Sequence, residues 1–191
     1  MRKIIFDIET RNIFDDVGKA DPTLLDISLV GVYDSQTDEY SSYLVEDLPK
    51  LWPIIESADV LVTFNGDHFD IPLLNKYYHG DLMKFKSLDL LVEIRKSLGR
   101  RVGLANVAEA TLGYGKSGNG LEAVEWWKKG DIESIRKYCL RDVKVTKEVY
   151  EYALNKGILK YKEGDIIKEL RIDTNNWESE VSNSVNLSLP F

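Results

Sequence analysis

The sequence is poor in the residue types that build disulfide frameworks and transition-metal sites. Its single cysteine, Cys139, cannot form an internal disulfide or a cysteine-based zinc site. Its two histidines, His68 and His79, are too few for a histidine-rich metal centre. A lone cysteine is typical of proteins in a reducing compartment, so we predict a cytoplasmic location.

Long apolar runs and net positive charge are also lacking. No apolar run approaches the about 18 residues that a membrane-spanning helix needs, so we predict no membrane partner. The apolar stretch in residues 1–6 is too short for the core of a signal peptide. The formal net charge of −7 excludes a protein that binds nucleic acid through bulk positive charge. It does not exclude a nuclease with an acidic centre, because metal ligands can account for part of that charge.

The chain does have a globular composition, with 43% hydrophobic and 30% charged residues over 191 positions, which suits one domain. Apolar patterning predicts strands at 3–7, 27–33, 40–45 and 59–64, helices at 48–57 and from residue 70, and a mostly helical region over 88–154. Short links make the first three strands antiparallel, and the fourth is predicted to be parallel to the first. This order predicts an α/β domain with a mixed sheet over residues 1–172, followed by a polar tail over 173–191.

Two carboxylates lie at the end of the first predicted strand. Asp7 and Glu9 alternate with Ile8, so the two acids share one face of the strand. Carboxylates on an apolar strand repel each other and are costly to bury, and a divalent cation would relieve both penalties. The alternative is a strand end whose acids face solvent.

A second polar segment, Asn65–Asp70, follows the fourth predicted strand. Ligand sites of α/β sheets gather at such strand ends. An ordinary turn at Asn65 and a helix N-cap at Asp70 are the alternative explanations.

A third pair lies within a helix predicted over residues 132–154. Tyr138 and Asp142 are four positions apart and therefore share a face, on an apolar stripe that should pack on the sheet. Aspartate is rarely buried on such a stripe unless its charge is paired. A salt bridge to Arg141 or Lys144 is the alternative to a metal.

Together the three segments resemble the motifs of the DEDD superfamily of 3′→5′ exonucleases, the DnaQ-like branch of the ribonuclease H fold. The family motifs are Asp-x-Glu, Asn-x-x-x-(Phe/Tyr)-Asp and, in the tyrosine subclass, Tyr-x-x-x-Asp. The matching residues, in that order, are Asp7, Glu9, Asn65, Phe69, Asp70, Tyr138 and Asp142. The resemblance covers residues 1–155. Within the superfamily, the chain is most similar to the proofreading domains of family B DNA polymerases and their stand-alone relatives.

The resemblance implies a ribonuclease H-like mixed sheet flanked by helices, and phosphodiester hydrolysis with two divalent cations, Mg²⁺ or Mn²⁺. It implies that the metal ligands are Asp7, Glu9, Asp70 and Asp142 and that Tyr138 orients the attacking water. Substrate contacts are expected at Thr10, Asn65 and Phe69, although a Phe69 buried in the core is the alternative. Further basic contacts are expected among Lys84, Lys86, Arg100, Arg101 and Lys116.

The implied substrate is a single-stranded 3′ end, of DNA in preference to RNA, in proofreading, replication or repair. An exoribonuclease, a catalytically silent nucleic-acid-binding module and an endonuclease of the ribonuclease H type are the alternatives. The protein is expected to be free-standing or to work with a polymerase in a replication complex.

The last six residues, 186–191, resemble the short peptide through which bacterial replication proteins bind the sliding clamp. Leu187, Leu189 and Phe191 form an apolar cluster at the end of a polar tether, and Asn186 stands where that motif usually has Gln. We predict that this peptide docks into a hydrophobic groove of a sliding clamp. The alternative is a tail that folds back onto its own domain.

Overall fold

The structure, a computed structural model, describes residues 1–115 and 120–179. Within these ranges, the strands are β1 (Lys3–Thr10), β2 (Ile27–Asp34), β3 (Glu39–Leu44), β4 (Val60–Thr63), β5 (Ser87–Asp89), β6 (Ile158–Glu163) and β7 (Ile166–Arg171). The helices are α1 (Phe14–Val17), α2 (Leu48–Glu56), α3 (Asp70–Asn75), α4 (Leu90–Leu98), α5 (Leu104–Leu112), α6 (Gly120–Lys129) and α7 (Ile132–Lys156). None of these described helices combines the length and the apolar character that crossing a membrane requires.

Five strands form one mixed sheet in the order β3-β2-β1-β4-β5, and β6 and β7 form a separate hairpin. The first three strands are antiparallel neighbours, and β4 is parallel to β1, as predicted. The prediction of a mostly helical region from residue 88 was wrong at its start, because Ser87–Asp89 forms β5 parallel to β4. A strand of three residues is too short to show an alternating pattern in the sequence.

The sheet carries an apolar core on each face. On one face Ile4, Phe6 and Ile8 of β1 pack with residues of α2 and α3. On the other face Ile5 belongs to a core formed with α5, α7 and the β6–β7 hairpin. Because side chains alternate along a strand, Asp7 and Glu9 continue the row of Ile5 and face α7.

The long helix α7 lies across that second face. Asp131 caps its start, because the Asp131 side chain accepts a hydrogen bond from the N–H of Ser134 at 3.1 Å. Gly157 caps its end in a left-handed conformation with φ of 66°. Its predicted sheet-facing stripe is buried throughout, namely Ile135, Tyr138, Asp142, Val145 and Val149. Burial of the whole stripe brings one carboxylate of α7 into the interior.

Packed chain continues past the predicted domain boundary at residue 172. Trp177 is buried and stacks on Tyr150 of α7, with ring centroids 5.5 Å apart. Glu178 pairs with Lys3 at 2.6 Å. The first part of the predicted tail therefore packs on the domain, whereas residues 180–191, with Leu187, Leu189 and Phe191, lie outside the described residues.

Candidate active site

The site is built around the carboxyl end of β1. This strand continues to Thr10, whereas its pairing with the parallel strand β4 ends at Ile5, so the acids of β1 lie beyond that pairing. Asp7 is half-buried and Glu9 is only 6% exposed. One carboxylate oxygen of each and the Sγ atom of Cys139 all lie within 4.8 Å of one another. Glu9 therefore does not face solvent, contrary to the alternative considered for this strand end.

Asp70 lies at the start of α3 and turns back to β1. Its Oδ1 atom accepts a hydrogen bond from the backbone N–H of Ile8 at 3.1 Å. Phe69 holds the N-cap position, so a capping role does not explain Asp70. Burial raises the pKa of Asp70 well above its usual range, and the negative charge of Asp7 raises this pKa further. Asp70 is thus an acid that the fold places against another acid in a buried space.

The turn before α3 is fixed by its own residues. Asn65 has a left-handed backbone with φ of 72°. A Cβ atom at Gly66 would lie 2.2 Å from Oγ1 of Thr63, so only glycine fits there. The side chain of Asp89 accepts the N–H of Asn65 at 2.7 Å while it also caps α4 through the N–H of Leu91 at 2.9 Å. Asp89 at the end of β5 therefore holds the turn that follows β4.

Helix α7 brings Cys139 and Asp142 to the same edge of the sheet. The Sγ atom of Cys139 lies 3.3 Å from the carbonyl oxygen of Asp7. Burial raises the pKa of the Cys139 thiol, and the charges of Asp7, Glu9 and Asp142 raise this pKa further. Asp142 is 1% exposed and lies one helical turn after Cys139. The negative charges of acids from β1 and from α7 therefore both raise the pKa of the same thiol, so these acids lie close to one another.

Tyr138, also nearly fully buried, is held from the side of α6. Its ring meets that of Trp126 edge to face, with centroids 5.7 Å apart. The ring centroid of the neighbouring Trp127 lies 4.4 Å from the guanidinium carbon of Arg11, just beyond β1. Two adjacent tryptophans in a sequence do not reveal which side chain each contacts, so only the fold shows that Trp126 contacts Tyr138 and that Trp127 contacts Arg11.

A groove of about 400 Å³ opens beside the acidic cluster. The residues predicted to contact substrate, Thr10, Asn65 and Phe69, border this groove together with Asp7, Glu9 and Asp70. Phe69 is half-buried and meets Phe14 edge to face at 6.1 Å, so it packs on a neighbour and also borders the groove.

The donor set fits a hard divalent cation. Asp7, Glu9 and Asp70 supply carboxylate oxygens, which are the ligands that such cations prefer. The raised pKa keeps the Cys139 thiol protonated, and a thiol is a poor ligand in that form. The repulsion that raises the pKa of Asp70 would be relieved by a bound positive charge.

Comparison with known proteins agrees with this architecture. The family model RNase_H_2, described as the RNase_H superfamily, matches residues 4–154. Among solved structures 103 chains match. One is the family B DNA polymerase from the hyperthermophilic archaeon Pyrobaculum calidifontis, with 18% identity and a TM-score of 0.60 over 81% of this chain. The match covers 24% of the polymerase chain, so this protein corresponds to about a quarter of it.

No curated protein sequence matches the chain. The structural likeness shows the fold, and the predicted ribonuclease H-like mixed sheet is confirmed. The family match supports a nuclease function. Since the family model spans most of the chain, the protein belongs to the RNase H superfamily.

Proposed function

We propose that the protein is a metal-dependent 3′→5′ exonuclease that removes nucleotides from DNA 3′ ends in proofreading, replication or repair. The observation that carries the proposal is the convergence of acids from β1, α3 and α7 at one edge of the sheet. Buried carboxylates at such close range are costly without a cation. DNA is favoured over RNA because the protein of similar fold is a DNA polymerase.

The residues that would hold two divalent cations, Mg²⁺ or Mn²⁺, are Asp7, Glu9, Asp70 and Asp142. When bound, such cations lower the pKa of a coordinated water and neutralise charge on the phosphate. The hydroxyl of Tyr138, whose ring Trp126 holds, positions the attacking water through a hydrogen bond. We assign Tyr138 the role of orienting this water and not of abstracting its proton.

The groove admits the terminal nucleotide when it is unpaired. Its volume of about 400 Å³ lies at the lower end of the range of about 300–1,000 Å³ for ligand pockets, too small for a duplex. The part of the Phe69 ring that borders the groove offers a stacking surface for a base, which tolerates any sequence. Thr10 and Asn65 offer hydrogen-bonding groups to the sugar and phosphate.

The direct test is the degradation of 5′-labelled and 3′-labelled oligonucleotides of DNA and RNA with Mg²⁺, Mn²⁺ or a chelator. The 3′ label should leave at once as a mononucleotide, and the 5′-labelled strand should shorten stepwise, faster when single-stranded. A chelator should stop the reaction. Faster degradation of RNA than of DNA would establish the exoribonuclease alternative. Cleavage of a circular single strand would establish the endonuclease alternative, and binding without cleavage would establish the catalytically silent module.

Substitution of Asp7 by Ala should reduce hydrolysis below detection, because Asp7 is close enough to Glu9 to share a metal ion with it and also lies near Asp70.

Tyr138→Phe keeps the ring contact with Trp126 and should slow hydrolysis about tenfold to a hundredfold while DNA binding stays nearly intact. Single-turnover rates and dissociation constants measure the two effects. The matched control is Asp165→Ala, at an exposed acid in the β6–β7 turn. Full activity of Asp7→Ala would place the chemistry elsewhere.

A further inference from the structure

A second recess adjoins the active-site groove. It measures about 140 Å³ and includes Arg95 of α4, Arg101 and His68 among its lining residues. Asn65 borders both this recess and the groove. A chain that passes over Asn65 would therefore cross from one cavity into the other.

The guanidinium groups of this recess are available to a ligand. Arg101 donates from Nη2 to Oδ1 of Asn65 at 2.6 Å, which uses one of its five N–H groups. Both arginines are exposed, and neither forms an ion pair with any residue in the ranges 1–115 and 120–179. Within the described residues, therefore, no carboxylate is paired directly with either guanidinium group, although Asp67 and Asp89 also line the recess.

The other basic residues expected near the substrate are engaged elsewhere or not described. Arg100 pairs with Glu163 at 2.7 Å. Lys86 donates to backbone carbonyls of the segment 176–179, and Lys84 pairs with Asp81 at 3.8 Å. Lys116 lies outside the described residues. Of the basic positions predicted from the sequence, Arg101 is thus the described one that borders a cavity next to the site.

The two acids of the recess already accept hydrogen bonds from the fold. Asp89 accepts backbone N–H groups of Asn65, Asp67 and Leu91, at distances between 2.7 and 3.1 Å. Asp67 accepts the hydroxyl of Ser87. Asp89, with three backbone donors, and Asp67, with one hydroxyl donor, are thus bound to the fold and not to Arg95 or Arg101, which leaves the two guanidinium groups to an incoming anion.

We infer that this recess binds a backbone phosphate of the substrate strand, upstream of the nucleotide that occupies the groove. The planar guanidinium group presents paired N–H donors that match a phosphate. A protein with a net charge of −7 needs such local positive groups to hold a nucleic acid beside an acidic centre. The inference rests on the proposed function, since it assigns a further contact to the same single-stranded substrate.

The test measures binding of a fluorescent single-stranded DNA oligonucleotide by the full chain, with Ca²⁺ in place of Mg²⁺, over a series of salt concentrations. Arg101→Gln keeps an amide donor for Asn65 but removes the charge, and Arg95→Gln removes the second charge. Each substitution should weaken binding about fivefold to tenfold and lower the salt slope by about 0.7. Arg100→Gln and Lys96→Gln, whose side chains pair with Glu163 and Glu93, should bind like the wild type.

A second measurement separates phosphate binding from an indirect effect through Asn65. The p-nitrophenyl ester of thymidine monophosphate carries one phosphate, so Arg101→Gln should raise KM for an oligonucleotide several times more than for this ester. An equal rise in KM for the oligonucleotide and the ester would overturn the inference. Unaltered oligonucleotide binding by both variants would overturn it as well. If the proposed function itself fails, the wild type hydrolyses neither substrate with Mg²⁺ or Mn²⁺. Thermal unfolding verifies that each variant is folded.

Discussion

At the scale of the residue, Gly31 of β2 determines how closely α7 approaches the sheet. A Cβ atom at this position would lie 2.8 Å from Sγ of Cys139 and 3.2 Å from Cγ2 of Val143. With no side chain there, Cys139 reaches the carbonyl oxygen of Asp7 at 3.3 Å. A residue with no functional group of its own therefore decides where the acid and the tyrosine of α7 lie.

Substitution of Gly31 by Ala should destabilise the protein by about 1–3 kcal/mol and reduce nuclease activity, because the added methyl group displaces α7. Denaturant unfolding and the oligonucleotide assay measure the two effects. Gly103→Ala is the control, since a Cβ at that position meets no atom within 4 Å. Adding Cys139→Ala to Gly31→Ala removes the sulfur that the methyl group meets. Strictly additive losses in the double variant would contradict this explanation.

At the scale of the element, the edge of the β6–β7 hairpin is closed by side chains of α5. Asn106 donates to the carbonyl of Lys162 at 3.0 Å and accepts the N–H of the same residue at 2.7 Å. The hydroxyl of Thr111 contacts the backbone of Lys160 in the same manner, at 3.1 and 2.9 Å. The two side chains occupy the place of a neighbouring strand and protect the free edge of β6.

Asn106→Ala should therefore cost about 1–3 kcal/mol of unfolding free energy, since it leaves a backbone donor and acceptor of Lys162 without these partners. Hydrogen exchange should accelerate in β6 and β7 more than in β1 and β4. The control is Asn155→Ala, at an exposed position near the end of α7, which should change stability by less than about 0.5 kcal/mol. Uniform acceleration over the whole domain would contradict a local role for Asn106.

Elements with local periodicity could be predicted from the sequence, and long-range contacts could not. The first four strands and α7 follow from apolar patterns within each segment. Asp7, Glu9 and Asp142 could be selected because carboxylates in apolar surroundings are unusual wherever they occur. The contact of Trp126 with Tyr138 and the recess at Arg101 join positions that the sequence does not link, so only the fold reveals them.

At the scale of the whole molecule, the two ends of the parallel strands differ in what they hold. The carboxyl ends of β1 and β4 border the acidic groove. The amino ends hold the C-terminal segment, because Lys3 at the start of β1 pairs with Glu178, and Lys86 before β5 donates to the carbonyls of Asn176, Trp177 and Ser179. The chain therefore leaves the described part of the molecule at the end opposite the site.

That placement bears on the predicted docking peptide, residues 186–191, which lies outside the described residues. A partner that binds a peptide tethered at the amino ends of the strands leaves the groove accessible to a 3′ end and raises the local concentration of the nuclease there. Deletion of 186–191 should abolish co-elution with a bacterial sliding clamp and leave hydrolysis of short free oligonucleotides unchanged.

The control for this deletion replaces residues 180–185 with Gly and Ser, which keeps the apolar anchors Leu187, Leu189 and Phe191. This variant should still co-elute with the clamp, because a Gly/Ser linker of the same length gives the anchors the reach to bind. Clamp binding that survives the deletion would show that the last six residues are not the docking peptide, and the affinity would then have to come from the rest of the chain. Loss of binding in the variant with the replaced tether would instead place the recognised sequence in residues 180–185.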